Sequence, residues 1–267
     1  MKARVDIMNK LLYTGIGGLF FSLLLCSCLR APRVTVHSLD DLEGVAVGVP
    51  RGTTHELYVI QHTKAVLKSY DETTDAVQAL CDEKVSGVVT NRAVGSVAVR
   101  KNASLCLSPL DLGKDPVGIA IGRGDSLLRD SMNAVISHLK ASGVLKDMEK
   151  RWLSFAGPYR PVEIKGPAEG VPLRVAVAAT REPFCFQDAS GRLCGYDIEL
   201  AYRIAACLHR PVKFLHMRFP ALIAALLSGK ADVVISLLDI TPERLQAVDF
   251  TQPYYESDRI LILRKKG

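Results

Sequence analysis

The sequence has few aromatic residues and little net charge. Only 6% of its 267 residues are Phe, Trp or Tyr, and 34 Lys and Arg stand against 28 Asp and Glu, a formal net charge of +6. The basic residues are scattered rather than grouped in a stripe, which argues against a nucleic-acid-binding protein. Low-complexity segments are lacking too, and a content of 48% hydrophobic and 23% charged residues is typical of a globular protein.

Metal-binding and redox patterns are equally lacking. The cysteines form no CxxC pair, and no Cys/His spacing of a metal site occurs. No nucleophile–base pattern is present either, so we expect no metal, no cofactor and no catalytic residues. Cys185 and Cys194 flank a predicted hairpin and could pair in an oxidising compartment, but we expect two buried free thiols.

The N-terminus has the layout of a signal peptide. Basic residues precede an apolar run, Leu11–Leu25, which is short for a membrane span and ends in LLLCSC. The cysteines resemble a bacterial lipoprotein signal, in which Cys28 is favoured over Cys26 because small Ser27 precedes it. We therefore predict a signal peptide at 1–27 and a lipid anchor on Cys28 that holds the protein to a bacterial membrane in the periplasm. An ordinary cleaved signal or an uncleaved helix is the alternative.

Strands and helices alternate along the rest of the chain. Strands are predicted at Val45–Val49, Lys68–Tyr70, Ser86–Thr90, Leu105–Leu107 and Val117–Gly122, with helices at Glu56–Leu67, Asp71–Cys81, Ala93–Val99, Ser126–Ser142 and Leu145–Trp152. After a Pro- and Gly-rich linker the series resumes, with strands at Leu173–Ala178, Val212–His216, Ala231–Leu238 and Arg259–Leu263, a hairpin over Phe184–Gly195, and helices at Asp197–Leu208 and Pro220–Leu227. This βαβ succession predicts α/β lobes with parallel or mixed sheets.

At two places a strand leads directly into a helix start with polar residues. One is Arg51–Thr54 (RGTT), and the other is Thr241 followed by Pro-Glu and Arg244. Free N–H groups at a helix start, together with a fixed guanidinium, suit a small carboxylate or phosphate. Arg244 is therefore predicted to anchor an acid group of a ligand. The alternative is a surface ion pair with Glu243 or Asp249.

Several longer motifs resemble a known family. The blocks GRLCGYDIELAYRIA, FPALIAALLSGKADVVIS and TPERLQAVDFTQPYY resemble the first lobe of periplasmic polar amino acid-binding proteins, the family 3 solute receptors of ABC importers. LEGVAVGVPRGTTHE and SLLRDSMNAVISHLKASGVLKDMEKRWL resemble their second lobe and C-terminal helices. The resemblance implies two α/β lobes around a cleft, a small polar amino acid as ligand, and an ABC permease as partner.

The lobes stand in the reverse of the family's order, as a circular permutation would produce. The implied division is lobe 2 at 38–115, a hinge return with C-terminal-type helices packing on lobe 1 at 116–155, a linker at 156–172, and lobe 1 at 173–267. Only the crossing near Pro116 would then remain covalent. A single tether predicts freer hinge motion and a possible lobe-swapped dimer.

The resemblance also implies which residues bind the ligand. Arg244 and Thr54 fall on positions that bind the carboxylate, and Phe219 falls on the aromatic wall. Thr54 as an ordinary helix cap and Phe219 as ordinary core are the alternatives. Further candidates for the cleft are Thr53, His55, Ser236, Asn91, Arg181 and Asp239.

Some cleft positions depart from the family's pattern. Asn91 stands where an Asp usually takes the ligand ammonium group, and Asn carries no charge. Ala178 replaces a frequent Asp, which disfavours a basic ligand, and Arg181 replaces a frequent aromatic. Asp239 either takes over the ammonium group or pairs with one of the arginines, in which case the ligand is not an ordinary amino acid.

Two other functions compete with an importer receptor. An altered cleft on a surface lipoprotein would suit a sensory or host-contact role. A dehydratase-like enzyme on the same fold would need a positioned acid or base, and Asp239, Glu243 and His55 are the candidates. We predict that the chain is not an enzyme.

Overall fold

The computed structural model describes residues 31–154 and 158–265. The predicted signal peptide at 1–27 and the predicted lipid anchor at Cys28 lie outside this range. Within the described residues no helix is both long enough and apolar enough to cross a membrane. The described cysteines are free, and of the two thiols expected to be buried Cys185 is buried whereas Cys194 is half-buried.

The described chain alternates strands and helices, with short 3-10 turns at Leu39–Leu42 and Phe219–Ala221. The strands are β1 Ala46–Pro50, β2 Val66–Tyr70, β3 Gly87–Asn91, β4 Leu105–Leu107, β5 Lys114–Val117, β6 Ala120–Ile121, β7 Leu173–Val177, β8 Thr180–Arg181, β9 Cys185–Gln187, β10 Leu193–Cys194, β11 Val212–His216, β12 Val233–Val234, β13 Asp249–Phe250 and β14 Tyr255–Arg264. The helices are α1 Thr54–His62, α2 Thr73–Cys81, α3 Arg92–Lys101, α4 Ser126–Ala141, α5 Val144–Leu153, α6 Tyr196–Cys207, α7 Leu222–Leu227 and α8 Pro242–Leu245.

Lobe 2 is built on a mixed sheet with the order β2-β1-β3-β14-β4. β1 runs parallel to β2 and β3, whereas β14 runs antiparallel to β3 and β4. β3 is buried along its whole length, as expected of a strand covered on both faces. The carboxyl ends of β1 and β3, with Arg51 and Asn91, therefore lie side by side at one edge of the sheet.

Lobe 1 is built on a second mixed sheet with the order β11-β7-β12-β6-β13. β6 follows the first crossing between the lobes and runs antiparallel to β12 and β13. Helices α4 and α5 share one apolar core with this sheet and with α6, through residues such as Met132, Trp152, Val175 and Ile198. The prediction of an α/β fold with two lobes is thus confirmed.

Two strands connect the lobes. β5 pairs antiparallel with the first half of β14, from Tyr255 opposite Val117 to Asp258 opposite Lys114. The second half of β14 then enters the sheet of lobe 2 between β3 and β4. The expectation that only the crossing near Pro116 is covalent is therefore wrong, and 255–264 lie beside lobe 2 although they were assigned to lobe 1.

Several other elements differ from the sequence-based expectation, among them the strand predicted at Val117–Gly122, which is divided between β5 and β6. The helix predicted at Glu56–Leu67 ends at His62, where the Thr63 hydroxyl donates to the carbonyl of Val59 at 2.8 Å, and the residues beyond form β2. The strand predicted at Ala231–Leu238 is confined to β12, and the backbone then turns at Leu237, which has a φ of 47°. That turn brings the residues after it to the interlobe cleft.

Candidate functional site

The lobe 1 half of the cleft is the segment from Ser236 to Arg244. Thr241 is the N-cap of α8, and its hydroxyl accepts a hydrogen bond from the Arg244 N–H at 3.2 Å, as the TPER pattern predicts. Before it, Leu237 is buried in the left-handed region of φ, which costs a non-glycine residue roughly 1–3 kcal/mol. Such strain persists only where neighbouring contacts hold the backbone.

Asp197, the aspartate of the GYDIEL motif, holds this strained turn. Its carboxylate accepts hydrogen bonds from the Leu237 N–H at 2.7 Å and from the Tyr254 hydroxyl at 2.8 Å. Burial raises the pKa of Asp197 to about 6, against the opposing effect of these hydrogen bonds and of Arg181. The motif was recognised from the sequence, but this positioning role was not.

Ser236 supports the turn from its other side. The residue is fully buried, and its hydroxyl accepts a hydrogen bond from the Ala178 N–H at 2.9 Å. The hydroxyl is thereby committed to joining the end of β7 to the turn. Its contribution is to hold Leu237 and Asp239 in place.

The lobe 2 half begins with the Arg51–His55 turn. Gly52 has a φ of 72°, a region that glycine adopts without strain, and its N–H donates to the Glu56 carboxylate at 2.8 Å. Thr53 is the N-cap of α1, but its hydroxyl donates to the carbonyl of Pro50 at 2.7 Å. Thr54 and His55, the first two helical residues, therefore carry the side chains that face lobe 1.

Residues of the two halves hydrogen-bond directly to each other. The Thr54 hydroxyl donates to the Asp239 carboxylate at 2.7 Å. The same hydroxyl oxygen lies 3.1 Å from a carboxylate oxygen of Asp115. Nη2 of Arg244 donates to the carbonyl of Gly52 at 3.0 Å, while its Nη1 donates to the carbonyl of Asp239 at 2.7 Å. The structure thus shows a closed cleft in which the two predicted halves meet.

Asn91 is the centre of a second contact between the lobes. Its side-chain oxygen accepts from Nη2 of Arg181 at 2.9 Å and lies 3.2 Å from Nε2 of His55, while its amide nitrogen donates to Ser257 at 2.5 Å. Burial, followed by the charge of Arg181, lowers the pKa of His55 to about 3, so the imidazole is neutral. Because that oxygen accepts, His55 donates through Nε2–H, and its Nδ1 is left as an acceptor.

Phe219 lies beneath both cleft arginines. The guanidinium carbon of Arg181 is 4.4 Å from the centre of the Phe219 ring, and that of Arg244 is 5.8 Å away. These are cation–π distances. Phe219 is itself buried and packs with the smaller core cluster of lobe 1, so it serves both as core and as cleft wall.

Several buried polar atoms in this cleft have no hydrogen-bond partner within the described residues. They are Nε of Arg181, Oδ1 of Asp239 and Nδ1 of His55. An unpaired buried polar group costs about 1–3 kcal/mol. A donor, an anionic acceptor and a neutral acceptor are therefore available to a ligand. No group of three or more His, Cys, Asp or Glu residues suited to a metal ion occurs in the part of the chain that the structure describes.

Comparison with known proteins identifies the segment that carries the lobe 1 half. Residues 173–267 match the family of bacterial extracellular solute-binding proteins, family 3. This segment belongs to that family. The match includes the Asp197, Asp239 and Arg244 positions, whereas the lobe 2 half lies outside it.

Individual relatives match over the same part of the chain. The ABC transporter arginine-binding protein 1 of Escherichia coli (strain K12) is 39% identical over 93 residues, which cover 35% of this chain and 38% of the relative. A probable histidine-binding protein of Campylobacter jejuni subsp. jejuni serotype O:2 is 39% identical over 95 residues, covering 36% and 37%. A solved ancestral arginine-binding protein bound to arginine is 46% identical over 35% of this chain and 39% of its own, with a TM-score of 0.31. The chain thus spans less than two fifths of the length of these relatives.

Proposed function

We propose that this chain is a solute receptor that binds a small amino acid in the interlobe cleft and delivers it to an ABC importer. The observation that carries the proposal is the meeting of the two cleft halves: Thr54 contacts Asp239, Gly52 contacts Arg244, and Asn91 contacts Arg181. A guanidinium, a hydroxyl, a carboxylate and an aromatic ring at one closed site suit a small zwitterion. Closing of two lobes on a ligand is a known hinge motion.

The relatives support this proposal. Those compared above have names that describe arginine- and histidine-binding proteins, one of them a component of an ABC transporter. These names describe binding proteins, in line with the prediction that this chain is not an enzyme.

The remaining parts of the proposal concern the location of the protein in the cell and the order of its lobes. We propose a periplasmic receptor with a lipid anchor at Cys28, which would keep it near a membrane permease. We also propose that the lobes are circularly permuted, so that 156–172 joins helices that pack on lobe 1 to the first strand of lobe 1. Mass spectrometry of the membrane fraction tests the anchor: an acylated Cys28 supports it, and an unmodified Cys28 contradicts it.

Binding itself is tested by the thermal stability of the chain with each of the twenty amino acids. A ligand that binds only the folded state at one hundred times its Kd raises the free energy of unfolding by about 2.7 kcal/mol. We expect such a rise with at least one amino acid. No change in melting temperature with any of them, confirmed by calorimetric titration, would contradict the proposed function.

A further inference from the structure

The cleft contains a second guanidinium that the family resemblance does not account for. Arg181 lies in β8 and is only 3% exposed. Two contacts fix it: the ring of Phe219 beneath it, 4.4 Å away, and the side-chain oxygen of Asn91, 2.9 Å from Nη2. Because Asn91 belongs to lobe 2, the guanidinium lies between the lobes at the site of closure.

Both cleft arginines contact neutral oxygens. Arg181 donates to the amide oxygen of Asn91, and Arg244 donates to the backbone carbonyls of Asp239 and Gly52. Such contacts satisfy hydrogen bonds without cancelling the positive charges. A carboxylate would supply a charge-assisted and stronger contact to either group. Nε of Arg181 is buried without a partner and is available for that bond.

Asp239 supplies a negative charge that acts on both arginines. Burial lowers the pKa of both guanidiniums, and Asp239 is the foremost charge that opposes this effect on each. Its Oδ2 accepts from Thr54, whereas its Oδ1 is buried without a partner. An ammonium group donates to carboxylates, so Oδ1 is a suitable position for one.

Of the other carboxylates whose charges act on the two arginines, Glu243 is exposed and the remaining two are already engaged. Asp197 accepts from Leu237 and Tyr254, and Asp115 forms an ion pair with Arg259. The charged side chains with groups left to contact a ligand are therefore Arg181, Arg244 and Asp239. Two positive groups and one negative group are the complement of a molecule with two carboxylates and one ammonium group.

We propose that the cleft binds an acidic amino acid, with its carboxylates on Arg244 and Arg181 and its ammonium group on Asp239. This inference rests on the proposed function and goes beyond it by assigning the ligand class. It differs from the names of the relatives, because the side chain of a basic amino acid would place a second cation beside Arg181. Juxtaposed like charges are a common means of rejecting a wrong ligand.

The test is calorimetric titration of the full chain with L-glutamate, L-aspartate, L-glutamine, L-arginine, L-histidine and glutarate. We expect at least one of the two acidic amino acids to bind at least about tenfold more tightly than the uncharged or basic ones, the effect of one charge-assisted contact. Glutarate, which lacks the ammonium group, should bind about tenfold more weakly than L-glutamate. The Asp239→Asn variant should largely remove that difference.

Variants of Arg181 assign the preference to this residue. Arg181→Gln should lose about tenfold or more in affinity for the acidic ligand and much less for L-glutamine, while Arg181→Lys should retain the preference. Arg264→Gln is a matched control, because Arg264 is also a buried arginine, 7% exposed, but lies in lobe 2 away from the cleft. Melting curves establish whether each variant folds. If Arg181→Gln does not fold, the ligand series on the wild-type protein and the Arg181→Lys variant still test the preference for an acidic ligand.

The outcomes separate this inference from the proposed function. Tighter binding of L-arginine or L-histidine than of either acidic amino acid would overturn the ligand class and leave the receptor function standing. An unchanged ligand preference in a folded Arg181→Gln variant would overturn the role of Arg181. Absence of binding by all of the amino acids would overturn the receptor function, and the ligand class with it.

Discussion

The hydroxyl of Thr54 and the carboxylate of Asp239 are 2.7 Å apart, although 185 residues separate them in sequence and they belong to different lobes. A hydrogen bond to a buried carboxylate contributes about 1.5–3 kcal/mol. Here that free energy favours the closed form of the molecule. The contact therefore couples lobe closure to the residue that we propose binds the ammonium group.

The Thr54→Val variant tests this coupling. Valine keeps the shape of threonine but cannot donate to Asp239, so the closed form should lose about 1–3 kcal/mol relative to the open form. We expect a larger radius of gyration by small-angle X-ray scattering in the absence of ligand. Thr63→Val is the control, since Thr63 ends the same helix away from the cleft, and its hydroxyl contacts Val59 within the lobe. Equal radii for Thr54→Val and wild type would contradict the coupling.

Arg244→Ala tests the carboxylate anchor. The Arg244 side chain is half-buried and hydrogen-bonds to carbonyls of both lobes, so its removal leaves no empty core. We expect a loss in ligand affinity of about 1.5–3 kcal/mol, with a melting temperature of the ligand-free protein close to that of wild type. Titration calorimetry measures the first effect and a thermal scan the second. Retained affinity would place the anchor elsewhere.

Substitution of Asp197 is expected to change how the stability of the protein depends on pH. Burial raises its pKa in the folded state from 3.8 to about 6, so the protonated form stabilises the fold. That contribution is present below pH 3.8 and is lost as the pH rises through about 6. Two pKa units correspond to about 3 kcal/mol.

The Asp197→Asn variant measures this effect, because asparagine does not titrate. We expect the difference in free energy of unfolding to move in favour of the variant between pH 4 and pH 7, by up to about 3 kcal/mol. Denaturant melts at a series of pH values measure the difference. A difference that stays constant with pH would show that Asp197 does not titrate in this range.

Substitution of Glu199 is expected to cause a large loss of stability. Its buried carboxylate binds two nitrogens of Arg151 at 2.6 Å, the Trp152 indole N–H at 2.8 Å and Arg203. Glu199→Gln removes the buried negative charge that Arg151 and Arg203 share, and breaking a buried ion pair in this way costs about 3–5 kcal/mol. Asp147→Asn is a matched control, because Asp147 binds the same Arg151 but is 60% exposed, and an exposed pair contributes at most about 1 kcal/mol. Urea unfolding compares the two variants, and equal losses would contradict the prediction.

The fold class and the two halves of the cleft were predictable from sequence because their signals are local. An apolar strand followed by Thr-Pro-Glu-Arg or by Gly-Thr-Thr specifies a strand end and a helix cap, and both lie where expected. The turn at Leu237 was not predictable in this way. Leucine gives no local signal for a positive φ, and the contact that holds it comes from Asp197, 40 residues away.

The second connection between the lobes was missed for a similar reason. The first half of β14 reads Tyr-Glu-Ser-Asp, which is too polar to predict a buried strand from sequence, and it pairs with β5. With two connections, the argument from a single tether for lobe exchange no longer applies. Light scattering over a range of concentrations tests the dimer directly. Arg181 was expected in the cleft, but its contacts with Phe219 and Asn91 were not predictable, since only the fold brings these residues together.

The pairing of β5 with β14 has a consequence for how the molecule opens. Two separate connections would let the lobes bend and twist independently, but hydrogen bonds from Tyr255–Val117 to Asp258–Lys114 unite them into one ribbon. A ribbon bends easily across its face and resists bending in its own plane. The lobes are therefore expected to separate along one arc, so that Thr54 leaves Asp239 and Asn91 leaves Arg181 in the same movement.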